Sequence, residues 1–247
     1  MAAALDAALA RIAEARAGGY GLFVARRSEP GDGWYEAGVL ARDDGPLDGL
    51  VADIARAAGT DLPSVGGEWL LELLAWHGAA LTAAAMMSGR WVPDLSPANV
   101  LVGVEGGSVL GIALRGGSAR EYAGERALAR AAHAALHAHL APLIDALVAR
   151  RLRPRRALWR AAGDRVGQAF LWCAEAFGAP ARARRLAVLV IEPPSPLHVP
   201  LLTAAGDDGA PLHLRASCCL WHRVPGSSLC PGCPLRRPRR RRTADSR

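Results

Sequence analysis

Four of the five cysteines in this 247-residue chain fall within sixteen positions near the C-terminus: Cys218, Cys219, Cys230 and Cys233. Such a cluster forces the surrounding chain into tight turns, because its sulfurs must either pair or share a metal. Pro231 and Gly232, between the last two cysteines, are turn formers. A C-x-x-C turn brings both sulfurs to one metal. The vicinal pair Cys218–Cys219 is different. Neighbouring side chains in extended backbone point to opposite faces, so two of them reach one ion only in a tight turn. A centre with two metals is more forgiving, since its ligands spread over both. The spacing alone leaves three readings open: a two-iron cluster on four thiolates, a closed four-cysteine zinc site, or neither. His213 and His222 lie close in sequence and are available to supplement the thiolates.

The compartment bears on that choice. Met1 to Arg16 carries Asp6 and Glu14 and lacks the basic start and unbroken apolar core of a signal peptide. The apolar stretch Trp69 to Ser88 is long enough to span a membrane. It contains Glu72 and His77, which are costly in lipid, so a buried core helix is expected. The protein is therefore expected in the cytoplasm, where thiols stay reduced and a cysteine cluster binds metal instead of forming disulfides. Cys173 lies on an apolar segment beside Phe170 and Trp172 and reads as a buried free thiol.

The net charge is +7, with 30 Lys+Arg against 23 Asp+Glu, and every basic residue is Arg. Much of the excess sits in the run Arg236-Arg237-Pro238-Arg239-Arg240-Arg241-Arg242. A basic tail of this kind attracts phosphates or anionic headgroups, so contact with the inner membrane surface is allowed and association with the membrane is an alternative to a free cytoplasmic state. Hydrophobic residues make up 51% of the chain, enough for a core that needs no disulfides.

Periodicity predicts a helix over Ala2–Ala17, then strands over Tyr20–Ala25 and Trp34–Ala41 joined as a hairpin by the loop Ser28–Gly33. Leu47–Ala58 reads as a helix, Trp69–Ser88 as the central helix, and Trp91–Asn99 as a proline-punctuated loop. Val100–Val104 and Ser108–Leu114 flank Glu105-Gly106-Gly107 as a hairpin. Long helices follow over Glu125–Arg151, bent at Pro142, and over Arg156–Phe177, closed by Gly178 and Pro180. Leu186–Ile191 is expected as a strand and Glu192–Pro200 as an irregular linker. The expected class is α+β: a helix-rich body with short β-hairpins and a C-terminal cysteine-rich segment. The divisions are 1–65, an N-terminal α/β part of the same domain; 66–214, the helical and hairpin body; 215–235, the cysteine segment; and 236–247, a disordered Arg-rich tail.

The stretch Arg215-Ala216-Ser217-Cys218-Cys219-Leu220-Trp221-His222-Arg223-Val224-Pro225-Gly226, continuing through Cys230-Pro231-Gly232-Cys233-Pro234-Leu235, resembles the C-terminus of FhuF-like ferric-siderophore reductases. That family's pattern is a Cys-Cys pair, ten residues and C-x-x-C, with an Arg and a Pro between. Leu158-Trp159-Arg160-Ala161-Ala162, His139-Leu140-Ala141-Pro142-Leu143 and Trp91 to Asn99 are similar to weaker family patterns upstream. The resemblance covers about the last two thirds of the chain, excludes the first sixty residues and stops before the Arg-rich run. It implies a [2Fe-2S] cluster on Cys218, Cys219, Cys230 and Cys233, flanked by Arg215, Trp221, His222 and Arg223.

It also implies an iron–sulfur oxidoreductase that passes one electron to Fe(III) held by a siderophore, expected to be of the hydroxamate type, and releases Fe(II). The chain contains no G-x-G-x-x-G fingerprint or P-loop. Electrons are therefore expected from a separate donor such as a ferredoxin or a flavin reductase. Asn99, His133 and His137 are candidates for substrate contact; His133 and His137 stand four apart on one helical face. Two alternatives belong to other classes. One is a zinc-stabilised binding protein whose basic tail contacts nucleic acid, the less favoured partner. The other is an iron–sulfur protein of siderophore assembly or sensing.

Overall fold

The computed structural model describes residues 23–42, 45–205 and 211–236, together with positions 6, 7 and 10. Most of the helix expected over Ala2–Ala17 and part of the strand expected over Tyr20–Ala25 lie outside the described residues. In chain order the elements are β1 (Phe23–Arg26), β2 (Trp34–Glu36), α1 (Ala37–Leu40), α2 (Leu47–Ala57) and α3 (Pro63–Gly89). Then come β3 (Trp91–Pro93), β4 (Val100–Glu105), β5 (Ser108–Leu114), β6 (Ala119–Glu121) and α4 (Glu125–Ala149). The chain continues with α5 (Arg155–Ala176), α6 (Pro180–Val190), β7 (Leu202–Ala205) and β8 (Pro211–Leu214). The class is α+β, with helices dominant.

Helix α3 organises the molecule. It is apolar around its whole circumference, and such a helix must be enclosed on all sides. Pro63 opens it, where a missing N–H costs nothing, and Arg90 closes it in the left-handed conformation. α2, α4, α5 and β5 pack around it. Leu70, Leu71, Leu74, Leu81 and Met86 of α3 are fully buried in one continuous core that runs from Ala37 to Val199. Gly66 permits the closest of these approaches: a Cβ there would stand 2.0 Å from the Val51 carbonyl of α2. α3 passes through residues 65 and 66, so the division placed there falls inside a helix.

The four-stranded sheet has the order β1-β5-β4-β2. β4 and β5 form the expected hairpin, with a register shift between Gly103 and Val104. β1 and β2 do not pair with each other. β1 runs parallel to β5, and β2 antiparallel to β4, on opposite edges of that hairpin. The Ser28–Gly33 loop therefore crosses the sheet instead of folding back. The second strand is also shorter than expected, because residues 37–40 turn into α1 and bury Ala37 and Leu40.

Two further expectations fail. Leu186–Ile191 is not a strand but the end of α6, in which Ala183, Leu186, Ala187 and Val190 are buried at helical spacing. The β-branched content of the segment masked its 3–4 periodicity. Trp91–Asn99 is not wholly loop, since β3 pairs antiparallel with β6. Pro142 lies inside α4, which continues to Ala149. The β7–β8 pair delivers the chain to the cysteine segment.

Candidate metal centre

The last described residues form a coil of tight turns laid over the N-terminal half of α3 and the side of α5. Leu220 takes a left-handed conformation and starts a 3₁₀ turn over Trp221–Arg223. Arg223 N donates to the Leu220 carbonyl (2.8 Å), and Val224 N to that of Trp221 (3.0 Å). Cys233 N donates to the Cys230 carbonyl (3.1 Å), which closes the C-x-x-C turn. Arg215 N donates to the Gly232 carbonyl (3.0 Å), which ties the start of the segment to its end. Gly232 is needed there: a Cβ would lie 2.2 Å from the His213 carbonyl.

Leu220 and Val224 pack on Val65 in a small apolar cluster separate from the main core, with Ala58, Leu62, Trp69 and Cys218 around it. Trp221 is 40% exposed and stacks on Trp69, with centroids 5.4 Å apart and planes at 18°. It fastens the segment to α3 while leaving one face open. The Trp69 indole N–H donates to the Cys219 carbonyl (2.9 Å), and Arg153 donates to that of Cys218 (3.4 Å).

These turns bring two of the four sulfurs into contact. Cys219 Sγ lies 3.6 Å from Cys230 Sγ, and Cys218 Sγ lies 3.6 Å from His222 Nδ1. Burial raises the proton affinity of Cys218, and Cys219 and Cys233 add to it. Burial likewise pushes Cys230 up to about 12, with Cys219 and then Cys233 adding to it. None of Cys218, Cys219, Cys230 and Cys233 is in a disulfide, and Cys218 and Cys230 each lie within electrostatic reach of Cys219 and Cys233. A cation of high charge reverses this preference, because it replaces the protons and is stabilised by the same crowding. Among the described residues, no three His, Cys, Asp or Glu side chains gather around a single point as ligands of one ion. Cys173 stands apart: it is fully buried in α5, 3.6 Å from the Ala80 carbonyl, and its thiol is pushed up to about 12 by burial.

Beneath the thiols lies a buried charged layer. Asp164 of α5 accepts hydrogen bonds from Ala216 N (2.9 Å) and Ser217 N (2.8 Å), the two amides before Cys218. Arg215 is buried, pairs with Glu72 of α3, and donates through Nε to the Ser217 carbonyl (3.2 Å). Arg165 binds the same carboxylate through Nε (2.9 Å). Burial alone would raise the Glu72 carboxyl, but the two guanidiniums outweigh it and hold the group below its ordinary range. One turn earlier, Glu68 is fully buried, with Arg153 Nε 3.4 Å away, and is pushed up to about 8 by burial and by Glu72. The charges of Arg215 and Arg153 also act on the thiols, favouring the ionised forms of Cys230 and Cys218 respectively.

Of the residues expected to flank the ligands, Arg215, Trp221 and His222 do so in the ways described, while Arg223 is exposed on the outer turn. The candidates for substrate contact lie elsewhere. Asn99 staples its own loop, donating to the Asp94 carbonyl and accepting from Gly116 N, both at 2.7 Å. His133 Nδ1 lies 3.2 Å from Ser195 Oγ, and His137 stacks on Trp159 at 4.8 Å. Glu68, Glu72, Asp164, Arg165 and Trp69 escaped the sequence reading. The available signal was a pair of acids four apart in an otherwise apolar helix, and an Asp-Arg pair in a helix rich in small residues.

Residues 215–235 match the model of one protein family, described as the FhuF 2Fe-2S C-terminal domain. Over these residues the chain is similar to an FhuF-type [2Fe-2S] domain. The match spans 21 of the 247 residues. No curated protein matches the chain. The donor set of this segment suits such a cluster. It presents four free thiols on one short coil, with Cys219 Sγ and Cys230 Sγ 3.6 Å apart, and four thiolates are the number that two bridged irons require. Two guanidiniums lie within electrostatic reach of those thiols, where they offset the negative charge of a thiolate-ligated cluster.

Proposed function

We propose that this protein is a ferric-siderophore reductase, with Cys218, Cys219, Cys230 and Cys233 holding the [2Fe-2S] cluster at the surface of the cytoplasmic protein. A bound cluster supplies reversible one-electron chemistry. The observation that carries the reading is the position of the Cys219–Cys230 pair. Cys230 is only half-buried, and it sits with Cys219 beside an open groove instead of inside the core. A cluster that only braces a fold gains nothing from such an address, whereas electron exchange with a bulky chelate needs it.

The remaining residues of the site serve that exchange by holding and tuning. Asp164 and Trp69 fix the backbone of the ligand loop. Arg215 places a permanent positive charge under Cys219 and Cys230, which favours the reduced state of anything bound there. Hard oxygen ligands hold Fe(III) far more tightly than Fe(II), so a single electron unloads the chelate without a proton transfer or a nucleophile. The reductant is a separate one-electron donor of the ferredoxin or flavin class.

The test is anaerobic stopped-flow at the visible band of the dithionite-reduced protein. Ferric hydroxamate chelates should reoxidise one cluster per iron, with Fe(II) trapped in step. Gallium(III) chelates should leave the band reduced. Equal silence towards ferric and gallium complexes across hydroxamate, catecholate and carboxylate chelators would defeat the reading.

A further inference from the structure

A groove of about 500 Å³ opens beside the ligand coil. Cys219 and Cys230 stand on its wall with Leu229 and Pro231, whereas Cys218 and Cys233 are not among its lining residues. The same two cysteines have their sulfurs in contact, at 3.6 Å. Cys218 turns its sulfur to His222 Nδ1 instead, also at 3.6 Å. Cys233 acts on Cys230 only by its charge, whereas Cys219 also shares a hydrogen bond with it.

This pairing is not the one that spacing suggests. Cys230 and Cys233 have the C-x-x-C spacing of many thiol–disulfide couples, and Cys218 and Cys219 are adjacent. The fold selects another partner. Ten residues separate Cys219 from Cys230. The 3₁₀ turn over Trp221–Arg223 and the left-handed Gly226 (φ 76°) fold them back on themselves. Both ends of that loop are anchored: the Trp69 indole holds the Cys219 carbonyl (2.9 Å), and Arg215 N holds the Gly232 carbonyl (3.0 Å). The entropy of closing the loop has therefore been met by the fold, and two groups held in contact react with each other far faster than with free reagents.

We propose that Cys219 and Cys230 are a site of reversible thiol oxidation: in the iron-free chain they join in a disulfide, and that bond closes the coil to a cluster until a thiol reduces it. The inference goes beyond the reductase reading and holds whatever electron acceptor the centre serves. The oxidant is a small-molecule disulfide that enters by the groove. Cys230, the more exposed of the two, attacks one sulfur of the reagent and forms a mixed disulfide, while the other sulfur leaves as a thiol. Cys219 then attacks the Cys230 sulfur and expels the second thiol. The two cysteines give up two protons and two electrons, and the S–S bond of the reagent takes up both as it becomes two thiols. Closure brings the sulfurs from 3.6 Å to about 2 Å apart. Two of the four donors are then tied to each other, and two bridged irons, which require four thiolates, have no seat. Burial favours the protonated form of Cys230, which slows the exchange but leaves unchanged which pair is in contact.

The test starts from the cluster-loaded full chain, stripped of iron anaerobically by a strong chelator and then exposed to oxidised glutathione. Alkylation under denaturing conditions should find one disulfide and three free thiols among the five cysteines. Fragmentation of the linked peptides should place the bond between Cys219 and Cys230. Added iron and sulfide should restore less than a tenth of the visible band, and dithiothreitol should bring it back in full. Among variants prepared iron-free, Cys219→Ser should form an internal bond at least tenfold more slowly than the parent, and Cys233→Ser at a rate within threefold of it. Far-ultraviolet circular dichroism shows that each is folded; where a variant is not, the bond mapped in the parent decides. A predominant Cys230–Cys233 or Cys218–Cys219 bond, no internal bond at all, or full cluster uptake by the oxidised chain overturns the proposal. Failure of the loaded protein to reduce ferric chelates would instead defeat the reductase reading, because none of these measurements uses a chelate as acceptor.

Discussion

At the residue scale the four thiols and the fifth part company. Replacing Cys218, Cys219, Cys230 or Cys233 by Ser is expected to abolish or badly weaken the visible spectrum, whereas Cys173→Ser leaves it intact. Anaerobic reconstitution followed by absorbance checks all five. His139 supplies a second expectation, about stability. It is fully buried against α3, and burial pushes its imidazole down to about 4, with the carbonyls of Leu74 and Leu95 offsetting part of the effect. The unfolded chain takes up that proton near 6.5, so stability is intact above that pH and is lost as pH falls from about 6.5 towards 4. The lost stability approaches about 3 kcal/mol at the acid end. Urea melts at pH 7 and pH 4.5 should differ more for the parent than for His139→Gln; an equal acid penalty in both would refute the assignment.

At the scale of elements, the cysteine spacing made the ligand loop legible, because C-C-x10-C-x2-C is a local pattern. The helices were legible where they ran long: α4 and α5 repeat their apolar pattern over several turns, and α3 is an apolar run too long for a strand. What sequence could not show were partners distant along the chain. β1 joins β5, some 88 positions on, and nothing local distinguishes that from a hairpin with β2. The cradle of Glu72, Asp164 and Trp69 likewise consists of contacts across 52 to 150 positions. Trp69 tests whether that cradle matters. Trp69→Phe keeps the ring on Trp221 but loses the bond to the Cys219 carbonyl, at about 1 kcal/mol. Trp69→Ala loses the stacking as well and costs about 3 kcal/mol of docking free energy. The rate at which a strong chelator strips the iron should rise in that order; identical rates in all three would show the indole to be incidental.

At the scale of the whole molecule, charge and mass are divided between different parts of the chain. The division placed before Arg236 needs a small shift, because Arg236 donates to the Leu229 carbonyl (2.7 Å) and belongs to the ligand coil. Removing residues 237–247 should therefore keep the spectrum and the reaction with a small chelate, while slowing encounter with an acidic electron donor at least threefold at low salt. That loss should vanish at high ionic strength; a loss that persists at every salt concentration would assign these residues to the fold.

The main core is closed by residues up to Val199, and the ligand coil touches it from outside through its own small apolar cluster and two hydrogen-bonded acids. Biogenesis follows from that layout. A newly made chain can complete its body before any iron is available and present the coil as a landing place for a delivered cluster. Trypsin should then nick the iron-free protein at the exposed Arg223 and spare the helices, and loading should protect that bond. Body and coil digested together in the iron-free protein would mean that the cluster, not the core, licenses folding.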